Sequence, residues 1–302
     1  LGLSMGSLAA VAVLLLVFYY LKSPPWGLTE QDVARLSGAL CAVWLITFIL
    51  PFLFGMPELY QRGASWRTAR FLPLVWTPVK ATKQLFAEHS DIMKFLIARM
   101  IFMDGLTALF TIGAVYVSGV LGWTRSETAL MGILSTLSAV IGGFLGGLLD
   151  RTLGPRNAIL VELIAITLIF SFQIGITQNS LLFGLITISE YPADRNIFSR
   201  SVDVVYLITI VPLSAFVIAA YSSCRTLLVA MSPPDELGKF FGIYAMTSTV
   251  TVWLGPGLVA LATFLTDSQR LGFSSLVILF VGGSLLMLGV PRQRQLTTIT
   301  KA

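Results

Sequence analysis

Long apolar stretches separated by short polar or charged connections set the pattern of this chain from end to end. Eight can be marked, A to H: Leu1 to Leu21, Leu36 to Met56, Phe95 to Val117, Ala129 to Leu149, Ala158 to Thr177, Val204 to Ser223, Phe240 to Leu265 and Gly272 to Val290. Each holds roughly 20 residues, enough at about 1.5 Å per residue to cross a hydrocarbon core about 30 Å thick. The stretches are apolar on all sides and lack the alternation of a membrane barrel strand, so helices are predicted. The pattern is that of an all-α, polytopic helical membrane protein with about eight transmembrane helices.

Composition strengthens that reading. Over 302 residues, 56% are hydrophobic and 12% charged, and the mean hydropathy is +0.85, which excludes a water-soluble enzyme. The chain opens at Leu1 with no basic leader and enters an apolar stretch at once, which suggests a piece of a longer protein rather than a signal peptide. His89 is the only histidine, and Cys41 and Cys224 fall in separate spans. No metal site, cofactor, disulfide framework or histidine-dependent nucleophile is therefore expected.

Charge sets the predicted orientation. Thirteen of the twenty Lys and Arg residues fall in the B–C, D–E and F–G connections and the tail, against six in the other connections and Arg99 within a span. The richer side should be cytoplasmic. The net charge of +5 is then a topology signal and no nucleic-acid footprint. Between Pro57 and Lys94, basic residues alternate with Trp66, Phe71, Leu74, Trp76 and Phe86, a composition suited to the headgroup layer or to a plain linker between bundles. A patch from Leu181 to Ile188 is too short to span and reads as a re-entrant or interfacial turn.

Asp104 heads the candidate site residues. It sits nine residues into span C, about 13 Å deep, where an ionisable group marks a substrate or proton site, or a polar contact between helices. Arg99 lies five residues earlier, about 140° around the helix, so the two should face different neighbours. Arg99 is shallow enough to snorkel, and a gate between Arg99 and Glu162 across the bundle is conceivable. Gly142, Gly143, Gly146 and Gly147 form two overlapping small-residue patterns for tight packing or for a sliding surface. Gly255, Pro256 and Gly257 predict a kink in span G. Ser232 and Asp235 have capping-box spacing.

The D–E connection, Gly146-Gly147-Leu148-Leu149-Asp150-Arg151-Thr152-Leu153-Gly154-Pro155-Arg156, is the most specific signal. Asp150 stands at a helix C-terminus, where an anion needs a nearby cation. The segment resembles the signature loop of the major facilitator superfamily. Phe95 to Met100 leading into Asp104-Gly105-Leu106, Pro233-Pro234-Asp235-Glu236 before Phe240 to Tyr244, Leu254-Gly255-Pro256 and Ser268-Gln269-Arg270 resemble the vacuole-effluxer-like branch of that superfamily. The loop departs from the usual pattern by one extra residue between Arg151 and Gly154, and by Arg151 where the branch carries a second acid.

The resemblance implies a partial major-facilitator fold in which A to H match roughly the fifth to twelfth of twelve helices. Residues 1–56 would close an N-terminal bundle, 57–94 link the bundles, 95–290 form a six-helix C-terminal bundle, and 291–302 a cytoplasmic tail. It also implies a secondary transporter of a small solute, with amino acids as suggested cargo and protons as the coupling ion through Asp104. Gly146, Asp150, Arg151, Gly154 and Arg156, with Arg99 and Glu162, would serve the conformational gate. The expected partners are solute, protons and the lipid bilayer, with no nucleic acid, in a monomer in a bacterial inner membrane. Two other classes are carried beside it. One is a non-transporting receptor or scaffold; the other is an intramembrane aspartyl protease using Asp104 and Asp150, which helix geometry sets more than about 10 Å apart in depth.

Overall fold

The computed structural model describes residues 30–55, 88–188 and 197–291, with single positions between 12 and 19. Most of span A, residues 56–87 and 189–196 and the tail beyond 291 lie outside the described residues. The chain divides into two compact units, residues Leu15–Ser90, and Asp91–Ala302 together with Leu1–Leu14. In the first, α1 (Glu30–Gly55) covers span B. Its described side chains from Cys41 to Leu50 are exposed on every face, with Trp44 and Phe48 in ring contact at 4.6 Å. An apolar helix bare all round suits hydrocarbon, not water.

The second unit holds α2 (Ser90–Val120), α3 (Arg125–Leu153), α4 (Pro155–Ile174), α5 (Ser201–Met231), α6 (Leu237–Val250), α7 (Leu254–Thr266), α8 (Gln269–Ser274) and α9 (Leu276–Leu288). Counting α6 with α7 and α8 with α9, six helical stretches of this unit are long and apolar enough to cross a membrane. Spans C to H are thus helical, with ends a few residues beyond the apolar limits, because helices continue past the hydrocarbon edge.

Helix α5 is the hub, packed most extensively against α3 and α4, while α9 packs on α4 and α8 on α7. The α3–α5 contact is made by glycine. A Cβ on Gly142 would strike the carbonyl oxygen of Ala215, and one on Gly146 would come within 3.0 Å of the Ala219 Cα. These are the small-residue positions marked in span D, and they serve close backbone approach.

At the end of the unit opposite the D–E loop, polar groups tie the α2–α3 turn to the start of α5. Thr124 caps α3 in a full capping box with Glu127. The other Glu127 oxygen accepts from the Phe198 amide at 3.1 Å. Asp203 accepts from Trp123 Nε1 at 2.7 Å and from two Arg200 nitrogens at 2.9 and 2.7 Å. Arg200 also bonds the Leu121 carbonyl at 2.6 Å. The Leu181–Ile188 patch forms neither a span nor a re-entrant helix. Ser180–Leu181 pairs antiparallel with Ile186–Thr187 around a 3₁₀ turn, Leu182–Gly184.

Two local expectations are corrected. Ser232 does not begin a helix through a capping box: it ends α5, its hydroxyl has no partner, and a 3₁₀ turn at Pro234–Glu236 precedes α6. Span G is broken rather than kinked, and the break lies at Thr251–Trp253, ahead of Gly255-Pro256-Gly257. Proline explains the displacement. It lacks the N–H that would bond the Val252 carbonyl, and its ring crowds that carbonyl, so the helix opens one turn upstream and Pro256 settles into the first turn of α7.

Gly142→Leu should separate α3 from α5 and cost about 1–3 kcal/mol, the usual penalty for overpacking. Chemical unfolding in detergent would show it, and Gly147→Leu, where a Cβ meets nothing within 4 Å, should leave stability near wild type.

Candidate functional site

Asp104 and Arg99 are carried by α2 and are almost wholly buried, at 2% and 3% exposure. Both face the same neighbour, the α6–α7 break, where opposite faces of α2 would have led them apart. The long Arg99 side chain crosses the angular offset between the two positions and enters the protein instead of snorkelling. Its Nη1 donates to the Tyr244 carbonyl and to Thr247 Oγ1, each at 3.1 Å, and its Nη2 to Ser248 Oγ at 2.8 Å. The guanidinium lies 3.4 Å from the centre of the Tyr244 ring, which adds cation–π attraction. The Thr247 and Ser248 hydroxyls donate in turn to the Tyr244 carbonyl, at 2.9 and 3.2 Å, and so turn their lone pairs to the cation.

Tyr244, Thr247, Ser248 and Thr251 are spaced i, i+3, i+4 and i+7, one face of a helix. Thr251, at the break, is among the groups that act on the Asp104 carboxyl, whose Oδ2 is buried without a hydrogen-bond partner among the described residues. Beyond the break, a Cβ on Gly255 would sit 2.6 Å from the Asp104 carbonyl oxygen and 2.7 Å from the Ala108 Cβ. The glycine therefore lets α7 press directly against the α2 backbone behind the acid. One turn on, Thr107 and the Tyr221 hydroxyl of α5 lie 3.4 Å apart. The result is a buried carboxyl group in the middle of a membrane helix, close to an unwound point of its neighbour. Such a group can take up a proton, or meet a polar or cationic solute.

The remaining candidates lie elsewhere. Glu162 of α4 is fully buried and accepts from Ser223 Oγ at 2.9 Å; it does not meet Arg99, so the suggested gate pair is not made. Arg99 spends its Nη donors on α6. In the D–E loop, Gly154 has φ 79°, which favours glycine, and its N–H bonds the Asp150 carbonyl. Asp150 gains no ion pair among the described residues: Arg151 is exposed, and Arg156 bonds the carbonyls of Val290 at 2.5 Å and Leu288 at 2.9 Å. Arg156 thus closes the C-terminal end of α9, where free carbonyls and the helix dipole favour a cation. A separate cavity of about 40 Å³, lined by Leu109, Ser135, Gln173, Tyr206, Ser214 and Phe273, has room for water alone. Among the described residues no cluster of three metal-ligating side chains occurs.

Sequence reasoning missed Tyr244, Thr247, Ser248, Thr251 and Ser223. The available signal was Thr247-Ser248-Thr249 with Thr251, four hydroxyls within five positions of an otherwise apolar span.

A family model described as vacuole effluxer Atg22 like matches residues 1–299. Autophagy-related protein 22-1 of Aspergillus clavatus is 23% identical over 93% of this chain and 46% of its own length. Autophagy-related protein 22 of Cryptococcus neoformans is 25% identical over 93% and 48%, and that of Yarrowia lipolytica 22% over 97% and 50%. The chain spans about half the length of these curated relatives. No solved structure matches it. The relatives are fungal and lend no support to the bacterial membrane expected from the sequence.

Arg99→Lys keeps the charge but loses the planar fork and its hydrogen bonds, each worth about 1.5–3 kcal/mol for a charged group. It should lower the unfolding temperature in detergent, and Arg99→Ala should lower it further; equal stability of Arg99→Lys and wild type would remove the fork from the account. Arg156→Ala should speed amide hydrogen exchange over Leu286–Val290 and leave α2 unchanged.

Proposed function

The chain belongs to the vacuole effluxer Atg22-like family, a branch of the major facilitator superfamily, and from that premise we propose that it forms part of a secondary active transporter of a small solute. Family membership makes membrane transport the general activity. The observation that carries the finer reading is Asp104, buried at mid-helix with its backbone against Gly255, just past the break between α6 and α7. Unwound helix at membrane depth is tolerated where it faces protein or a polar cavity, and such points hold solutes and coupling ions in alternating-access transporters.

In this reading the chain supplies the fifth to twelfth helices of a twelve-helix protein, with the basic side and the C-terminus cytoplasmic. Residues 95–290 act as the C-terminal bundle and the D–E loop as its conformational latch, through Gly146, Asp150, Arg151, Gly154 and Arg156. Amino acids are the proposed cargo and protons the coupling ion. We ascribe no enzymatic step to Asp104 and Asp150.

The test is solute flux in proteoliposomes of the twelve-helix protein containing this chain, using an amino-acid mixture with and without a pH gradient. Gradient-driven flux is expected, and Asp104→Asn should abolish it at normal expression. Unchanged flux in Asp104→Asn would remove that residue from the mechanism. No flux of any amino acid would discard the cargo assignment and bring the receptor reading level with transport.

A further inference from the structure

The register that packs α3 on α5 runs toward two acids and a hydroxyl. Gly142 lies on Ala215 and Gly146 on Ala219, so the faces advance together, four residues at a time on each helix. The same step continues toward Asp150 on α3 and Ser223 on α5. Ser223 has a single hydrogen to give, and it goes to Glu162 Oε1 at 2.9 Å. Glu162 Oε2 and Asp150 Oδ1 are both buried without a hydrogen-bond partner, and Glu162 itself is 0% exposed. The two acids are within electrostatic reach of each other.

Among the described residues no cation pairs with them. From α5, the surrounding groups are the buried Cys224 thiol and the exposed Arg225. From α2, the field of Arg99 reaches Cys224 as the acids' fields do, but its Nη donors are committed to Tyr244, Thr247 and Ser248 of α6. Arg151 of α3 is exposed and Arg156 is bonded to the end of α9. Helix α9 carries no ionisable side chain, and Arg270 of α8 bonds the Ile174 carbonyl at the far end of α4. A buried carboxylate with an orphan oxygen, in the field of a second acid, is costly while charged. A proton on Glu162 removes that charge and supplies a donor for its neighbours.

We propose that Glu162, hydrogen-bonded to Ser223 and within the field of Asp150, is a proton-binding site near the basic end of the bundle, distinct from Asp104. The ligand is a proton drawn from water on that side, bound to one carboxyl oxygen. The site stands independently of the transport reading, since it concerns the protonation of the chain at rest.

The experiment is an infrared pH titration of the purified chain in lipid nanodiscs, reading the carbonyl stretch of protonated carboxyl groups. A band persisting near pH 7, above the usual carboxylate range, is expected in wild type and lost in Glu162→Gln. Asp150→Asn should move the midpoint at which the band disappears, while Asp104→Asn leaves that midpoint in place. Ser223→Ala keeps both acids and should shift the band frequency, a readout available if Glu162→Gln fails to fold. The proposal is overturned by the absence of the band near pH 7, by its survival in Glu162→Gln, or by a midpoint and frequency indifferent to both Asp150→Asn and Ser223→Ala. A band lost only in Asp104→Asn also overturns it, yet leaves the transport reading and its use of Asp104 intact.

Discussion

Within hydrocarbon, every polar atom must find its partner in the protein. Water is absent, and an unsatisfied amide, hydroxyl or charge costs several kcal/mol. That single constraint explains why the spans are helices, whose backbones satisfy themselves. It also explains why Thr and Ser hydroxyls along α3 to α6 donate back to carbonyls three or four residues earlier, as Thr136, Thr167 and Ser171 do. Where the protein departs from it, at the α6–α7 break and at Asp104, polar groups are gathered on both sides of the departure.

Arg99 shows what the constraint demands of a charge. Its guanidinium is held by a carbonyl, two hydroxyls and an aromatic face, all from one helix. A cation so embedded fixes α6 to α2 below the break, while Gly255 lets α7 lie against the Asp104 backbone above it. The break is thus bracketed by two strong attachments to one helix. The break, at Thr251–Trp253, lies near the only acid of α2 placed at mid-helix.

Close packing provides the rigid complement. With glycine at Gly142 and Gly146, α3 and α5 approach to backbone contact, and the polar cluster of Trp123, Arg200 and Asp203 closes their far end. At the near end, Arg156 joins the D–E loop to the end of α9. Arg156 is thus committed to backbone carbonyls and makes no ion pair with Asp150.

The sequence by itself determined the elements. Apolar length marked spans C to H and the helix of span B, Pro256 announced the interruption of span G, and the rarity of acids in apolar stretches drew attention to Asp104 and Glu162. These are local properties, decided by transfer energy and by periodicity along one helix. Only the tertiary structure decided the partners: that Arg99 turns inward to Tyr244 and the hydroxyl stripe, that it misses Glu162, that Ser223 serves Glu162, and that Arg156 holds Leu288 and Val290. Which side chains meet depends on the rotation and register of each helix against its neighbours. The hydroxyls from Thr247 to Thr251 mark one polar face in an otherwise apolar span but do not say which helix it meets; that is set by close contacts such as those at Gly142, Gly146 and Gly255.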